Sequence, residues 1–203
     1  MKKKSNLSER SVDADPFRQF KKWYADRLKT EIYYPDSVTL ATSTADGHVS
    51  ARTVLLKDFS DNGFVFFTNY NSKKGQQLSQ NPGAAMLFYW PESGRQVRIE
   101  GVVEKVSAEE SEAYFRTRPR ESQIGAWASE QSAVIPGRAH LEKRVEFHIK
   151  KFSDNPVPKP YSWGGFLLIP EWIEFWQEGE FRLHDRIIYT RNVNQWKIER
   201  LAP

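Results

Sequence analysis

The chain has 203 residues, of which 39% are hydrophobic, 14% aromatic and 28% charged, and its formal net charge is +4. This composition is typical of one globular domain that buries a core, and no apolar run is long enough to span a membrane. The absence of cysteine excludes disulfides, thiolate metal sites and a cysteine nucleophile, and because the four histidines are scattered we expect no metal site.

The N-terminal region is polar, and we expect a mobile tail over residues 1–12 followed by a single domain over residues 13–203. The first residues are basic but no apolar segment follows them, which argues against a secretory signal and favours the cytoplasm. A helix is predicted after Asp15, a good N-cap, because Pro16 suits the first helical turn and aromatic residues follow at helical spacing.

From Ser37 the chain changes to short β-branched and aromatic runs separated by turn signals. Asp-Gly and Asn-Gly pairs mark hairpins, so we predict an antiparallel meander of five strands up to Val106, with a short helix capped by Ser72. Helices are predicted next, the first with Ser107 and Glu110 as a capping box. Strands follow the proline-rich stretch SDNPVPKP. The predicted fold class is therefore mainly β with helices (α+β), forming an antiparallel barrel that is closed or nearly closed.

Two segments carry cations where a phosphate could bind. Arg52 and Lys57 bracket a core-like strand in ARTVLLKDF, although both could equally be strand-end charges facing water. In TNYNSKKG, Thr68 precedes Lys73 and Lys74 at a predicted helix start. A helix N-terminus with hydroxyl groups and lysines suits a phosphate, while the alternative is an ordinary capped surface helix.

A third segment, AYFRTRPRESQIGAW, combines a phenol, a guanidinium and a hydroxyl group. Tyr114 and Arg118 are four residues apart and are predicted to share a helix face, and Ser122 follows the proline turn. These groups suit a phosphate monoester, although an amphipathic helix with a basic end would give the same pattern. Gln131 and Ser132 could bind a ligand, but polar residues are common at helix ends.

The segment WQEGEFRLHDR carries the most unusual pattern. If it is a strand, Arg182, His184 and Arg186 share one face, and such close cations repel unless a negative group lies among them. An edge strand protected against aggregation is the alternative, but it predicts Lys rather than Arg and His and leaves the nearby Trp176 unexplained. This segment is therefore the strongest candidate for a functional site, and the negative group could be a neighbouring carboxylate or a ligand. The cations, hydroxyls and aromatic residues together favour a phosphorylated ring cofactor and a phosphorylated substrate.

The chain resembles the pyridoxine (pyridoxamine) 5′-phosphate oxidase family in a series of segments that follow one another in order: RTVLLK, FFTNYNSKKGQQLSQNP, RQVRIEG, YFRTRPRESQIGAWAS, WGGF, IEFWQ and RLHDR. The resemblance runs from about Asp15 to Pro203. It implies a homodimeric split β-barrel with FMN between the subunits. It also implies oxidation of pyridoxine 5′-phosphate or pyridoxamine 5′-phosphate to pyridoxal 5′-phosphate, with O₂ as electron acceptor and H₂O₂ as product.

The resemblance also implies roles for individual residues. The cofactor-binding residues it implies are Arg52, Thr53, Val54, Leu55, Leu56, Lys57, Phe67, Thr68, Lys73, Lys74, Gln96, Gln131, Ser132, Trp176 and Arg186. Four of these would reach FMN across the dimer, namely Gln131, Ser132, Trp176 and Arg186. The substrate phosphate would be held by Lys57, Tyr114, Arg118 and Ser122. Arg182 and His184 would face the pyridine ring as the catalytic pair. The family often has Arg where Lys73 stands, and lysine keeps the charge without the bidentate fork.

Other functions remain open at this stage. A related split-barrel flavin oxidase could act on another ring, such as a dihydrophenazine, but should lack the phosphate-binding residues. A non-catalytic FMN or pyridoxal phosphate carrier would not need Arg182 and His184. Nucleic acid binding is disfavoured because the positive residues are spread along the chain among acidic ones.

Overall fold

The computed structural model describes residues 7–29, 33–193 and 195–203. In these ranges the chain forms five α-helices: α1 Pro16–Leu28, α2 Lys73–Gln80, α3 Ala108–Thr117, α4 Arg120–Ala128 and α5 Arg138–Phe152. The strands are β1 Ser37–Ser43, β2 Val49–Leu55, β3 Asp58–Ser60, β4 Gly63–Asn69, β5 Gly83–Trp90, β6 Arg95–Lys105, β7 Trp163–Gln177, β8 Asp185–Asn192 and β9 Gln195–Leu201. Short 3₁₀ turns lie at Pro91–Ser93 and Glu180–Arg182.

All strands belong to one antiparallel sheet with the order β2-β1-β5-β6-β7-β4-β3, and β8 and β9 continue from β7. The long strand β7 curls the sheet, because its first half pairs with β4 and its second half with β8. A register shift between Glu100 and Gly101 lies opposite Pro170 at this bend. A side chain at Gly101 would collide with the Ile169 carbonyl. The predicted fold class, an antiparallel barrel-like α+β fold, is confirmed.

The order of the strands differs from the predicted meander. Strand β4 lies between β7 and β3 instead of beside β5, and β5 pairs with β1 and β6. The Asp-Gly turn signal gave the hairpin β1–β2 correctly, and the meander placed β5 beside β6 correctly, since these pairs are local. The partner of β4 comes from a distant part of the chain, which turn residues do not specify.

The predicted helix caps are present. The side chain of Asp15 accepts a hydrogen bond from the Phe17 N–H at the start of α1. Ser72 caps α2 by accepting from Gly75, and Ser107 caps α3 by accepting from the Glu110 N–H. Each cap satisfies an N–H group that has no partner within its helix.

Two clusters of buried residues stabilise the fold. In the larger one, α1 closes the sheet: Phe20 is fully buried and makes edge contacts with Phe64 and Phe88 at centroid distances of 5.0 and 5.1 Å. The smaller cluster joins the three helices α3 to α5 to β7 through Phe115, Ile124, Phe152, Val157 and Trp163. This second cluster fixes the position of α3 and α4 over the sheet.

Residues 7–12, part of the tail expected over residues 1–12, pack against the end of the sheet. Leu7 is 7% exposed, and its N–H donates to Asp185 Oδ2 at 3.2 Å. Its carbonyl accepts a hydrogen bond from Arg200, and Val12 contacts the large core cluster. An apolar residue and two backbone hydrogen bonds thus tie this segment down. The remainder of the expected tail, residues 1–6, lies outside the described residues.

None of the helices found in the described ranges has the length and apolar character needed to cross a membrane. The same ranges contain no group of three or more His, Asp or Glu side chains arranged to hold a metal ion.

Candidate active site

A cleft of about 790 Å³ opens between β2, β4 and the corner where α3 meets α4. It brings together residues predicted to bind the cofactor and residues predicted to bind the substrate phosphate. The predicted residues that line it are Thr53, Val54, Leu55, Lys57, Phe67, Thr68, Lys74, Tyr114, Arg118, Ser122 and Gln131. Segments far apart in the sequence therefore form a single cavity with cationic groups at its wall.

Lys74 lies in the first turn of α2. Its Nζ donates to Thr68 Oγ1 at 3.1 Å and to Gln131 Oε1 at 3.0 Å. No carboxylate in the described part of the chain forms an ion pair with it. Burial, with a smaller contribution from the charge of Arg52, lowers the pKa of Lys74 to about 8. An ammonium group held by neutral oxygens, without a counter-charge, is suited to an anionic ligand such as a phosphate.

Arg52 is fixed behind Lys74 by hydrogen bonds. Its Nη1 donates to Thr42 Oγ1 at 2.6 Å, and its Nη2 donates to Gln77 Oε1 at 3.3 Å. Gln77 is 3% exposed and was not predicted as a site residue, because a glutamine on a short polar helix is normally at the surface. Leu56, a predicted cofactor residue, has its side chain in the core, so only its backbone could meet a ligand.

Arg118 also lines the cleft. Its guanidinium carbon lies 4.7 Å from the centroid of the Trp163 ring, and its Nη1 is buried without a hydrogen-bond partner among the described residues. Burial lowers the pKa of Arg118. The prediction that Tyr114 and Arg118 share a helix face is wrong. Helix α3 ends at Thr117, and Arg118 is extended because the residue before a proline is disfavoured in the helical region.

Three aromatic rings form one wall of the cleft. The Phe67 ring stacks on Tyr114 at 4.0 Å between centroids and on Trp163 at 5.3 Å. Gly165, which pairs with Phe67 across the sheet, leaves room for this ring, since a Cβ there would lie 2.8 Å from it. Trp163 was part of the recognised WGGF segment, but nothing in the sequence indicated its stacking partners.

The ammonium group of Lys57 is already paired. Its Nζ donates to Asp36 Oδ2 at 2.6 Å, and this carboxylate was not predicted as part of the site. Lys57 lines the cleft, but any ligand anion must share it with Asp36. Ser122 lies in the first turn of α4, where its N–H donates to the Pro119 carbonyl.

Gln131 and Ser132 contact their own chain. The side chain of Gln131 accepts from Thr68 and Lys74, and Ser132 Oγ accepts from the Lys73 N–H at 3.1 Å. Helix α4 ends at Ala128, and the following turn folds back onto α2. The prediction that both residues act across a dimer stays a prediction. Lys73 and Ser132 line a neighbouring cavity of about 810 Å³, which shares Gln131 with the cleft.

The remaining predicted residues form a second group outside the cleft of their own chain. Gln96, Trp176 and Arg186 lie directly opposite one another on β6, β7 and β8. The His184 ring lies 4.6 Å from the Trp176 ring, and its Nδ1 accepts a hydrogen bond from the Gly179 N–H. Because Nδ1 is an acceptor, the proton of the neutral imidazole lies on Nε2.

The prediction that Arg182, His184 and Arg186 share one strand face is wrong. Gln177 pairs with Asp185, so the residues between them form the β7–β8 connection and β8 begins only at Asp185. Arg182 lies in the 3₁₀ turn with a φ of 62°. The alternation of side chains along a strand does not apply to such a turn.

One anion beside Arg186 is supplied by the protein itself. Arg186 Nε donates to the buried carboxylate of Glu174. Asp185 does not face this cluster, because its carboxylate accepts from Arg200 and from the Leu7 N–H.

The fold and the cleft define a class of protein: a curled antiparallel barrel with a cleft lined by cationic and aromatic side chains. Residues 24–147 match the family model described as pyridoxamine 5′-phosphate oxidase. Residues 163–203 match the model described as pyridoxine 5′-phosphate oxidase C-terminal dimerisation region. The chain belongs to the pyridoxamine 5′-phosphate oxidase family, as the sequence predicted, and FMN, the cofactor implied by that family, is confirmed with it.

Full-length relatives carry the family's name. A pyridoxine/pyridoxamine 5′-phosphate oxidase from Trichormus variabilis is 54% identical over 198 residues, which are 97% of this chain and 92% of the relative. A protein of the same name from Burkholderia cenocepacia is 53% identical over 203 residues, covering 98% of this chain and 94% of the relative.

Solved structures share the fold. The structure of PhzG from Burkholderia lata, in complex with tetrahydrophenazine-1-carboxylic acid, superposes with a TM-score of 0.90 at 29% identity and covers 97% of this chain and 98% of that chain. A pyridoxamine 5′-phosphate oxidase-related, FMN-binding protein from Nostoc punctiforme has a TM-score of 0.74 at 20% identity, covering 95% and 100%.

Proposed function

We propose that this protein is an FMN-dependent oxidase that converts pyridoxine 5′-phosphate or pyridoxamine 5′-phosphate to pyridoxal 5′-phosphate, using O₂ and releasing H₂O₂. The observation that carries the proposal is the buried, unpartnered Nη1 of Arg118, in a cleft that Tyr114 and Ser122 also line. A buried guanidinium nitrogen without a hydrogen-bond partner among the described residues is costly, and a substrate phosphate would remove that cost. We expect the reaction to take place in the cytoplasm.

The residues around Lys74 fit the phosphate of FMN. The ammonium group of Lys74, the Thr68 hydroxyl and the start of α2 converge where no carboxylate of the described chain competes. Arg52 adds positive charge behind them. When bound, FMN supplies a hydride acceptor that O₂ can reoxidise. The task of the protein is to hold the substrate C4′ in place, and a phosphate handle does this from a distance.

We further propose that two copies of the chain complete each site. Gln96, Trp176 and Arg186, with Arg182 and His184, do not line the cleft of their own chain. They could act on a ligand in the partner's cleft if the dimer places the end of β7 there. The match of residues 163–203 to a dimerisation region supports a homodimer of this kind.

Arg182 and His184 are proposed to face the pyridine ring. Arg182 is exposed at the turn, where its charge could fix the ring and offset negative charge that develops as C4′ is oxidised. His184 is oriented by the Gly179 N–H and by Trp176, which leaves the Nε2–H to donate to the substrate. Which of the two moves a proton is a question for pH–rate profiles.

A second candidate function is the oxidation of a dihydrophenazine. The likeness to PhzG, whose structure holds a tetrahydrophenazine carboxylic acid, favours it. A phenazine carboxylic acid has no phosphate, however, and would leave the cation at Arg118 without its best ligand. The phosphate-binding residues therefore favour the vitamin B6 substrates.

The two functions can be separated with purified protein reconstituted with FMN. We expect a yellow protein that consumes O₂ and forms an aldehyde when pyridoxamine 5′-phosphate is added. Rapid oxidation of a dihydrophenazine carboxylic acid without turnover of either phosphorylated pyridine would replace the first proposal with the second. Protein that binds FMN but turns over neither substrate would be a carrier.

A further inference from the structure

Glu174 is a buried carboxylate at the centre of the sheet that no role described so far explains. Its side chain is 2% exposed, and it lies on β7 between β6 and β8. Arg98 on β6 donates to its Oε2 at 3.0 Å, and Arg186 on β8 donates to its Oε1. Burying a carboxylate costs free energy that its ion pairs only partly recover, and apolar residues can often replace such a group. A buried charge at this position suggests a demand beyond stability.

The position of Glu174 connects it to the second group of predicted site residues. In the sheet, Arg98 lies opposite Glu174, and Gln96 and Arg186 lie opposite Trp176, two residues further along β7. Residues two apart on a strand share a face. The side chains of Glu174 and Trp176 therefore point to the same side of the sheet. Along β7, Glu174 lies two residues before Trp176, which Gln96 and Arg186 flank on the neighbouring strands.

The hydrogen bonds of Arg186 leave one edge of its guanidinium for a ligand. Nε donates to Glu174, and Nη1 donates to the Ala202 carbonyl at 3.0 Å. In the described chain no hydrogen bond is formed by Nη2. An arginine side chain has several rotatable bonds, and two fixed donors remove most of that freedom before a ligand arrives.

We infer that Glu174 is a positioning residue: it holds Arg186 beside Trp176 with the Nη2 edge presented to FMN. This inference rests on the proposed function, in which Arg186 contacts the cofactor. The same ion pair raises the pKa of Arg186. Arg98 forms the other half of the cluster but has a second carboxylate, Glu100, at 2.6 Å, so it is held independently of Glu174. The cluster thus offers a matched control on the opposite side of the same carboxylate.

The test is a double-mutant cycle on FMN affinity, measured by the quenching of FMN fluorescence as apoprotein is added. We expect Glu174→Gln to weaken FMN binding about tenfold, because the neutral amide no longer fixes Nε. In an Arg186→Met background the same change should have no further effect. Arg98→Gln, which removes the other partner, should leave FMN affinity within about twofold of wild type.

The cycle separates positioning from simple loss of stability, which would weaken FMN equally in both backgrounds. Equal weakening, or no weakening in a folded Glu174→Gln protein, would overturn the inference. If Glu174→Gln does not fold, Glu174→Asp keeps the charge but withdraws it by one methylene group. It should weaken FMN binding only when Arg186 is present, and any other result counts against the inference. Wild-type protein that fails to bind FMN would overturn the proposed function as well.

Discussion

The guanidinium carbon of Arg118 lies 4.7 Å from the centroid of the Trp163 ring, in a cleft that Lys74 also lines. Arg118 lies at the α3–α4 corner, and Trp163 is the first residue of β7. The indole supports one face of the cation, while Nη1 remains unpartnered among the described residues. This arrangement prepares an arginine for an anion, and the first prediction follows from it.

Arg118→Ala should raise the KM for pyridoxamine 5′-phosphate by about 30-fold, equivalent to about 2 kcal/mol for hydrogen bonds to a charged group. Turnover of unphosphorylated pyridoxine, however slow, should change little, because this substrate has no phosphate group for Arg118 to bind. Steady-state kinetics on both substrates checks this. Arg116→Ala is the matched control, since Arg116 is exposed and pairs with Glu112 on the helix surface. An equal loss on both substrates would contradict a phosphate-binding role.

FMN affinity should fall as the pH rises above about 8. The pKa of Lys74 in the free protein is lowered to about 8, so above this pH the free protein carries a neutral amine. Binding a phosphate dianion favours the charged form, so the protein must take up a proton on binding and the Kd rises with pH by up to about tenfold per unit. Fluorescence titrations from pH 7 to 9.5 measure this. Lys74→Arg should bind with a flat profile, and a flat profile in the wild type would refute the assignment.

The free energy of unfolding should be lower in mild acid than at neutral pH because of His148. Its ring is 7% exposed, lies between Phe147, Phe152 and Trp127, and its Nδ1 finds no partner within the described ranges. Burial, followed by the charges of Arg144 and Lys151, lowers its pKa. The unfolded chain therefore binds more protons just below the ordinary pKa of about 6.5, and the free energy of unfolding falls as the pH drops through that window.

Urea denaturation at pH 5.5 and 7.5 tests the role of His148. His148→Phe should reduce the difference between the two midpoints, because a neutral ring then occupies the site at both pH values. The same substitution at the exposed His140 should leave the difference as it is. A wild-type protein whose midpoint does not change between the two pH values would count against a buried neutral imidazole.

Gly165→Ala should damage both the fold and the cleft. Its Cβ would lie 2.8 Å from the Phe67 ring and 2.7 Å from the Val106 side chain, so the stack of Phe67, Tyr114 and Trp163 must move. We expect a loss of roughly 1–3 kcal/mol in unfolding free energy and a higher KM for the substrate. Gly125→Ala is the control for stability, since the added methyl group meets no protein atom within 4 Å and α4 should gain from it. Equal stabilities for the two variants would show that the stack adapts freely.

The local features of the fold were predictable, while the long-range ones were not. Asp15, Ser72 and Ser107 cap their helices as predicted, because a cap depends only on residues within one turn. The pairing of β4 with β7 joins residues about a hundred positions apart, and the composition of neither strand indicates which strand it pairs with.

The same distinction applies to the site. The motifs predicted the cations of the cleft and of the second group, but not their partners Asp36, Gln77 and Glu174. No local signal in the sequence marks these contacts. The FRLHDR segment shows how a periodic pattern can mislead. Its alternation of cations resembles a strand, yet the register of β7 with β8 turns the first half into a loop.

The measurement that tests the central claim most directly is the ratio of kcat/KM for pyridoxamine 5′-phosphate to that for a dihydrophenazine carboxylic acid, with the same FMN-loaded protein under air-saturated buffer. We predict a ratio well above one, with pyridoxal 5′-phosphate and H₂O₂ formed in equal amounts. We also predict that the ratio falls by at least tenfold in Arg118→Ala but not in Arg116→Ala. A ratio below one in the wild type, unaffected by Arg118→Ala, would contradict the proposal that this cleft selects its substrate by the phosphate.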